Sequence, residues 1–87
     1  IGELPRLKHG QRVTIGGILV ARQHPPTAKG FCFLAIEDPD GIVNVILAPD
    51  VYARCREATR RLFVLVEGVV QKEGGAIHVM AQTVTAL

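Results

Sequence analysis

The chain has 87 residues, enough for one small domain and no more. At that size about 60–65% of the unfolded surface is buried on folding, which rules out a two-domain enzyme. Hydrophobic residues make up 48% and charged residues 21%, too apolar a balance for disorder. Ten Lys and Arg against eight Asp and Glu leave a net charge of +2. That excess is too small to point to nucleic acid by itself, so the placement of the cations has to decide. The longest run free of Asp, Glu, Lys and Arg is Gly74 to Leu87, fourteen residues. A membrane-spanning helix needs roughly 18–20 apolar residues, and no signal-peptide pattern is present.

The chain opens on Ile1, not Met, and reads as a module of a longer protein. Residues 1–10 carry Pro5 among short apolar and basic residues and read as a lead-in from an upstream domain, with residues 11–87 forming the domain proper. From Arg12 to Gln23 the apolar, β-branched run predicts a long first strand, interrupted at Gly16-Gly17. Paired glycines inside a strand mark a bulge or a bend. His24 to Gly30, with Pro25-Pro26, predicts a loop. Phe31–Glu37 and Ile42–Ala48 read as two strands of a hairpin, turned by Asp38-Pro39-Asp40-Gly41.

Pro49-Asp50 opens the one helical pattern, with Asp50 as cap and Val51 or Tyr52, Cys55, Ala58 or Thr59, and Leu62 on one face. Arg54, Arg56, Arg60 and Arg61 fall on the remainder and read as solvent-facing or interdomain residues. Leu62–Gln71 and Ala76–Val84 are strand-like, joined across Lys72-Glu73-Gly74-Gly75. Three strands, a short helix and two strands, with the first strand long and bent, is the plan of a five-stranded all-β OB-fold barrel. An immunoglobulin-like sandwich would want about seven strands, and a parallel α/β sheet a helix between successive strands.

The residue list argues against catalysis. Asp38 and Asp40 fall in a turn, Asp50 at a helix start and Glu57 on a helix surface, so no carboxylates pair. His9, His24 and His78 lie at no metal-ligand spacing, and neither a metal nor a cofactor is expected. Gly16-Gly17 lacks the following Lys-Ser or Lys-Thr of a phosphate-binding loop. Cys32 and Cys55, 23 positions apart within apolar patterns, read as buried reduced thiols of a cytoplasmic protein. Cys32 has no basic neighbour in sequence to make it a nucleophile.

The central hairpin carries the functional signal. If Cys32, Leu34 and Ile36 face inward, then Phe31, Phe33 and Ala35 face outward. On the partner strand Val43, Val45 and Leu47 face inward and Ile42, Asn44 and Ile46 outward. An aromatic beside an amide suits single-stranded nucleic acid: a ring stacks on a base and an amide reads a base edge. Packing of Phe31 and Phe33 beneath the Pro25-Pro26 loop is the competing reading, and alternation alone leaves both open. Arg22, His24 and Lys29 near the first loop, and Lys72 from the last hairpin, would flank this face and neutralise phosphates.

The stretch Arg22-Gln23-His24-Pro25-Pro26-Thr27-Ala28-Lys29-Gly30, then Phe33-Leu34-Ala35-Ile36-Glu37-Asp38 and Gly41-Ile42-Val43-Asn44-Val45, resembles the OB domain near the C-terminus of bacterial C-family DNA polymerases. The likeness is strongest to the error-prone branch of the polymerase III alpha subunits, which acts in damage-induced mutagenesis. It runs from Gly10 to Leu87, with Arg22 to Asn44 its specific part. The resemblance implies a non-catalytic domain that binds single-stranded template DNA; the candidate contact residues for it are Arg22, Gln23, Lys29, Phe31, Phe33, Asn44 and Lys72. It further implies partners among the other polymerase domains and replication accessory proteins. The catalytic acids would lie in an upstream palm domain. A broader likeness is to the anticodon-binding OB domain of class II aminoacyl-tRNA synthetases, where a strand-two Phe stacks on a base and a strand-three Gln contacts one. Phe33 matches the first position; Asn44 matches the second with one methylene less. Two further functions stay open here: a module that docks another protein, and anticodon recognition.

Overall fold

A computed structural model describes residues 1–87. Five strands, β1 (Arg12–Gln23), β2 (Cys32–Asp38), β3 (Gly41–Leu47), β4 (Phe63–Glu73) and β5 (Ala76–Ala86), close into a barrel in the order β1-β2-β3-β5-β4. The single helix, α1 (Pro49–Cys55), lies between β3 and β4. All neighbours are antiparallel except β3 and β5, which run parallel through Asn44↔His78, Val45↔Val79 and Ile46↔Met80. This is the OB-fold.

Closure depends on β1, which serves two neighbours in succession. Residues 12–18 pair with β4, and residues 18–23 pair with β2. At the changeover the backbones of β1 and β2 nearly touch: a Cβ placed on Gly17 would lie 2.4 Å from the Glu37 carbonyl oxygen. No side chain fits there, so glycine is the residue that lets one strand turn the barrel's corner. The β4–β5 pair has a counterpart at the bulge between Glu67 and Gly68, where a Gly68 Cβ would meet the Met80 carbonyl oxygen at 2.3 Å.

The core follows from strand alternation with β-branched residues. Cys32, Leu34 and Ile36 of β2, Val43, Val45 and Leu47 of β3, Val64, Val66 and Val70 of β4, and Val79 and Val84 of β5 are all buried. Each fully buried Val, Leu or Ile contributes about 1.5–3 kcal/mol, so the core rests on many medium-sized side chains. Tyr52 is the one aromatic among the buried residues.

The two barrel ends are stoppered differently. At one end α1 inserts Val51, Tyr52 and Cys55, with the Cys55 Sγ accepting the Val84 amide at 3.3 Å. At the other, Leu4 is buried from a 3-10 turn, Leu4–Arg6, with Ile1 and Leu7 packed beside it. Residues 1–10 are also tied to β4: the Gly10 amide donates to the Val70 carbonyl at 2.7 Å, and the Lys72 amide to His9 Nδ1 at 3.0 Å.

Several local expectations are revised. The helix is capped at Ala48 rather than Asp50, because Pro49 takes the first helical position, where its missing N–H costs nothing. Asp50 falls in the first turn, where its charge suits the helix dipole. The helix ends at Cys55 and gives way to a 3-10 turn, Ala58–Arg60, so Leu62 leaves the expected apolar face and is 61% exposed. The last hairpin turns on Gly74-Gly75 alone, and Lys72 belongs to β4. Phe31 precedes β2 rather than opening it, its amide donating to the Ala28 carbonyl after a 3-10 turn at Pro26–Ala28.

Two predictions follow from this packing. Gly17→Ala should cost about 3 kcal/mol or more, because the Cβ meets backbone that cannot swing away; a urea-unfolding shift below about 1 kcal/mol would contradict the close approach. Burial pushes the Cys32 thiol above its ordinary pKa, more than the nearby Arg22 guanidinium and the Phe33 backbone lower it. Cys32 should therefore resist a thiol reagent in the native barrel, with or without denatured-state controls at equal pH, and react fully in denaturant. Rapid native labelling at Cys32 would refute the assignment.

Candidate nucleic-acid interface

The register sets which side chains share the outer surface of β1, β2, β3 and β5. One row across the sheet reads Gln23, Phe33, Ile46 and Met80. The next reads Ala21, Ala35, Asn44, His78 and Gln71. Phe33, Ile46, Met80 and His78 are half-buried, and Gln23 and Asn44 are exposed. Ala21 and Ala35 keep the surface low beside the Phe33 ring, leaving space above the sheet for a flat group. The polar atoms around that space belong to Gln23, Asn44, Gln71 and His78. His78 Nε2 and Gln71 Oε1 lie 3.0 Å apart, which pins both side chains across the β4–β5 pair.

Alternation thus places Phe33 and Asn44 on one face, as expected, with Gln23 at its edge. Three neighbours escaped the sequence reading. His78 and Met80 reach the face only through the parallel β3–β5 pairing, and Gln71 only through its pairing with His78. The even positions of the last strand-like run, opposite Val79 and Ala81, carried the available signal.

The cations are less gathered than the sequence suggests. Lys29 is exposed in the β1–β2 loop, in a left-handed conformation with φ 56°. His24 stacks against Tyr52 of α1, ring centroids 4.3 Å apart, and so helps seat the loop on the helix. Phe31 is half-buried in the same loop. Lys72 has the inward parity of Val66 and Val70, and its Nζ donates to the Pro5 carbonyl at 2.8 Å, away from the Phe33 row.

Arg22 pairs in register with Leu34 and projects to the opposite side of β1 from Gln23. There it lines a cleft of about 420 Å3 together with Arg60 and Arg61. The helix arginines are therefore not uniform. Arg54 donates to the Gln82 carbonyl at 3.2 Å, whereas Arg60 and Arg61 line the same cleft as Arg22. No three or more His, Cys, Asp or Glu side chains converge anywhere in the barrel.

No protein-family model matches the chain. Over 86 residues, 98% of its length, it is 38% identical to an error-prone DNA polymerase of Anaeromyxobacter dehalogenans. It is 45% identical over 83 residues to an error-prone DNA polymerase of Mycolicibacterium paratuberculosis. It spans only 8% and 7% of those two relatives. Among solved structures, asparaginyl-tRNA synthetase of Pyrococcus horikoshii superposes with a TM-score of 0.75 at 23% identity, over 91% of this chain and 19% of that one. The Stn1-Ten1 complex of S. pombe superposes with a TM-score of 0.73 at 20% identity, over 87% of this chain and 57% of the other. At such identities the structural likeness speaks for the fold alone. The chain is thus an OB-fold barrel whose sequence matches one segment of error-prone DNA polymerases along nearly its whole length.

Proposed function

We propose that this barrel is a single-stranded DNA-binding domain of an error-prone DNA polymerase, acting in the cytoplasm during damage-induced synthesis. It holds the template strand and leaves the chemistry to acids elsewhere in the enzyme. The observation that carries this reading is the Phe33 surface. A half-buried ring stands beside the low Ala21 and Ala35, and amide-bearing Gln23 and Asn44 lie within the same two rows.

A base laid over Ala35 would stack on Phe33, and such a stack is worth about 1–3 kcal/mol whichever base is present. Asn44 and Gln23 can donate to or accept from base edges. Their side chains are exposed and held by no partner, so the preference among bases is expected to be weak. Lys29, at the mouth of the β1–β2 loop, stands where a phosphate would pass, and the His24–Tyr52 stack keeps that loop against the barrel.

Phe33→Ala should weaken binding of an oligothymidylate by about five- to 150-fold, the equivalent of about 1–3 kcal/mol, while Phe33→Tyr stays close to the parent. Fluorescence anisotropy on the folded variants reads this directly. Unchanged affinity in a folded Phe33→Ala protein would dismiss the stacking surface. Affinity that ignores salt would favour protein docking instead, since phosphate contacts release counterions.

A further inference from the structure

We infer that the cleft lined by Arg22, Arg60 and Arg61 is a phosphate-binding extension of the Phe33 surface, taken by the same DNA strand as it leaves the sheet across β1. The inference rests on the proposed single-stranded DNA binding and adds to it the direction of travel and a second set of contacts.

The cleft exists because β1 loses a neighbour. Pairing with β4 stops at Ile18↔Phe63, with one further bond from the Leu19 amide to the Leu62 carbonyl at 2.8 Å. Beyond it β1 bulges between Leu19 and Ala21 and continues, paired with β2 alone. The gap between this free edge and the Thr59–Leu62 segment is the cleft. Val20 and Leu62 stand at its walls, 48% and 61% exposed.

Its chemistry selects an anion with an apolar side. Three arginines line it and no acidic residue does. Glu57 pairs with Arg60 at 3.9 Å, both side chains being exposed. A solvent-exposed pair at that distance is weak and screened by salt, and leaves the guanidinium available. Arg61 and Arg22 have no ion-pair partner. Guanidinium groups bind phosphate oxygens in a fork geometry, and the sugar of the same nucleotide offers Val20 and Leu62 an apolar edge. No aromatic lines the cleft, so it would hold backbone rather than a stacked base.

The position fits a continuous path. The row Met80, Ile46, Phe33, Gln23 crosses the sheet and ends at β1, whose next edge is the cleft. From Phe33 on β2 to a point beyond β1 is two strand spacings, about 10 Å. Arg22 sits in sequence between Ala21 and Gln23, both on the stacking surface, and projects to the other side, so β1 carries contacts of both kinds.

The test compares oligothymidylates of about four and about twelve nucleotides, the range over which OB folds bind single strands. The probes are titrated against the 87-residue chain, the Arg60→Ala/Arg61→Ala double variant and Arg60→Lys/Arg61→Lys. The short probe, covering only the Phe33 surface, should bind parent and Ala variant alike. The long probe should bind the Ala variant roughly 10- to 30-fold more weakly at about 0.1 M salt, with the salt slope shallower by about 1.4, the loss of two single-strand phosphates. The Lys variant should recover the slope. An unchanged slope for the long probe, or equal losses for both probes, overturns the path while leaving the Phe33 surface standing. A third probe, a poly-glutamate peptide, separates a protein partner: if the Ala variant loses the peptide and keeps the long oligothymidylate, the path is overturned. Failure of the parent to bind either probe removes the underlying DNA-binding reading and this extension with it.

Discussion

One constraint organises the molecule: a single strand must serve two neighbours, and it can do so only where two backbones pass with no side chain between them. Gly17 occupies that crossing, 2.4 Å from the Glu37 carbonyl by the position its missing Cβ would take. Every other feature of the surface hangs on it. The bend directs residues 18–23 onto β2, sets Gln23 beside Phe33 and Ala21 beside Ala35, and frees the far edge of β1 beyond Leu19. The proposed ligand surface and the structural corner thus share one strand. Substitutions near Gly17 therefore act on recognition through register rather than through contact.

The distribution of aromatic residues tells the same story from the side of energetics. Valine, leucine and isoleucine fill the interior, where alternation and close packing suit β-branched shapes. All three phenylalanines stay out of the core: Phe31 and Phe33 are half-buried and Phe63 is exposed. Large rings on an outer surface forgo part of the burial that would stabilise the fold. Both ends of the barrel are filled, by Leu4 at one and by Val51, Tyr52 and Cys55 at the other. The proposed recognition accordingly uses the outer wall of the barrel, where the phenylalanines stand.

Much of this was legible in the sequence because the signals were local. Period-two alternation in a chain with one buried face assigns each side chain to a surface, so Cys32, Leu34 and Ile36 could be placed inside and Phe33 and Asn44 outside from the pattern alone. Element order and the glycine pair in the first strand pointed to the same barrel. What stayed hidden depends on pairings between distant segments. His78 joins Asn44 only because β5 runs parallel to β3. Lys72 was read in a turn, yet the strand continues to Glu73 and carries the ammonium round to Pro5. Arg60 and Arg61 read as solvent-facing or interdomain helix residues, whereas the helix ends at Cys55 and the following turn sets them in one cleft with Arg22.

The bulge in β1 has one further result, for molecules in company. A strand edge with unpaired amides and carbonyls is a template on which a second copy can add its own strand, and exposed Val20 and Leu62 would make that contact adhesive. The bulge distorts the edge, and Arg22, Arg60 and Arg61 line the depression beside it. Two copies meeting there would press like charges together at short range, in the manner of the basic gatekeepers that guard open sheet edges. The bulge that leaves this stretch of β1 without a second neighbour thus also sets like charges against any second barrel that approaches the same edge.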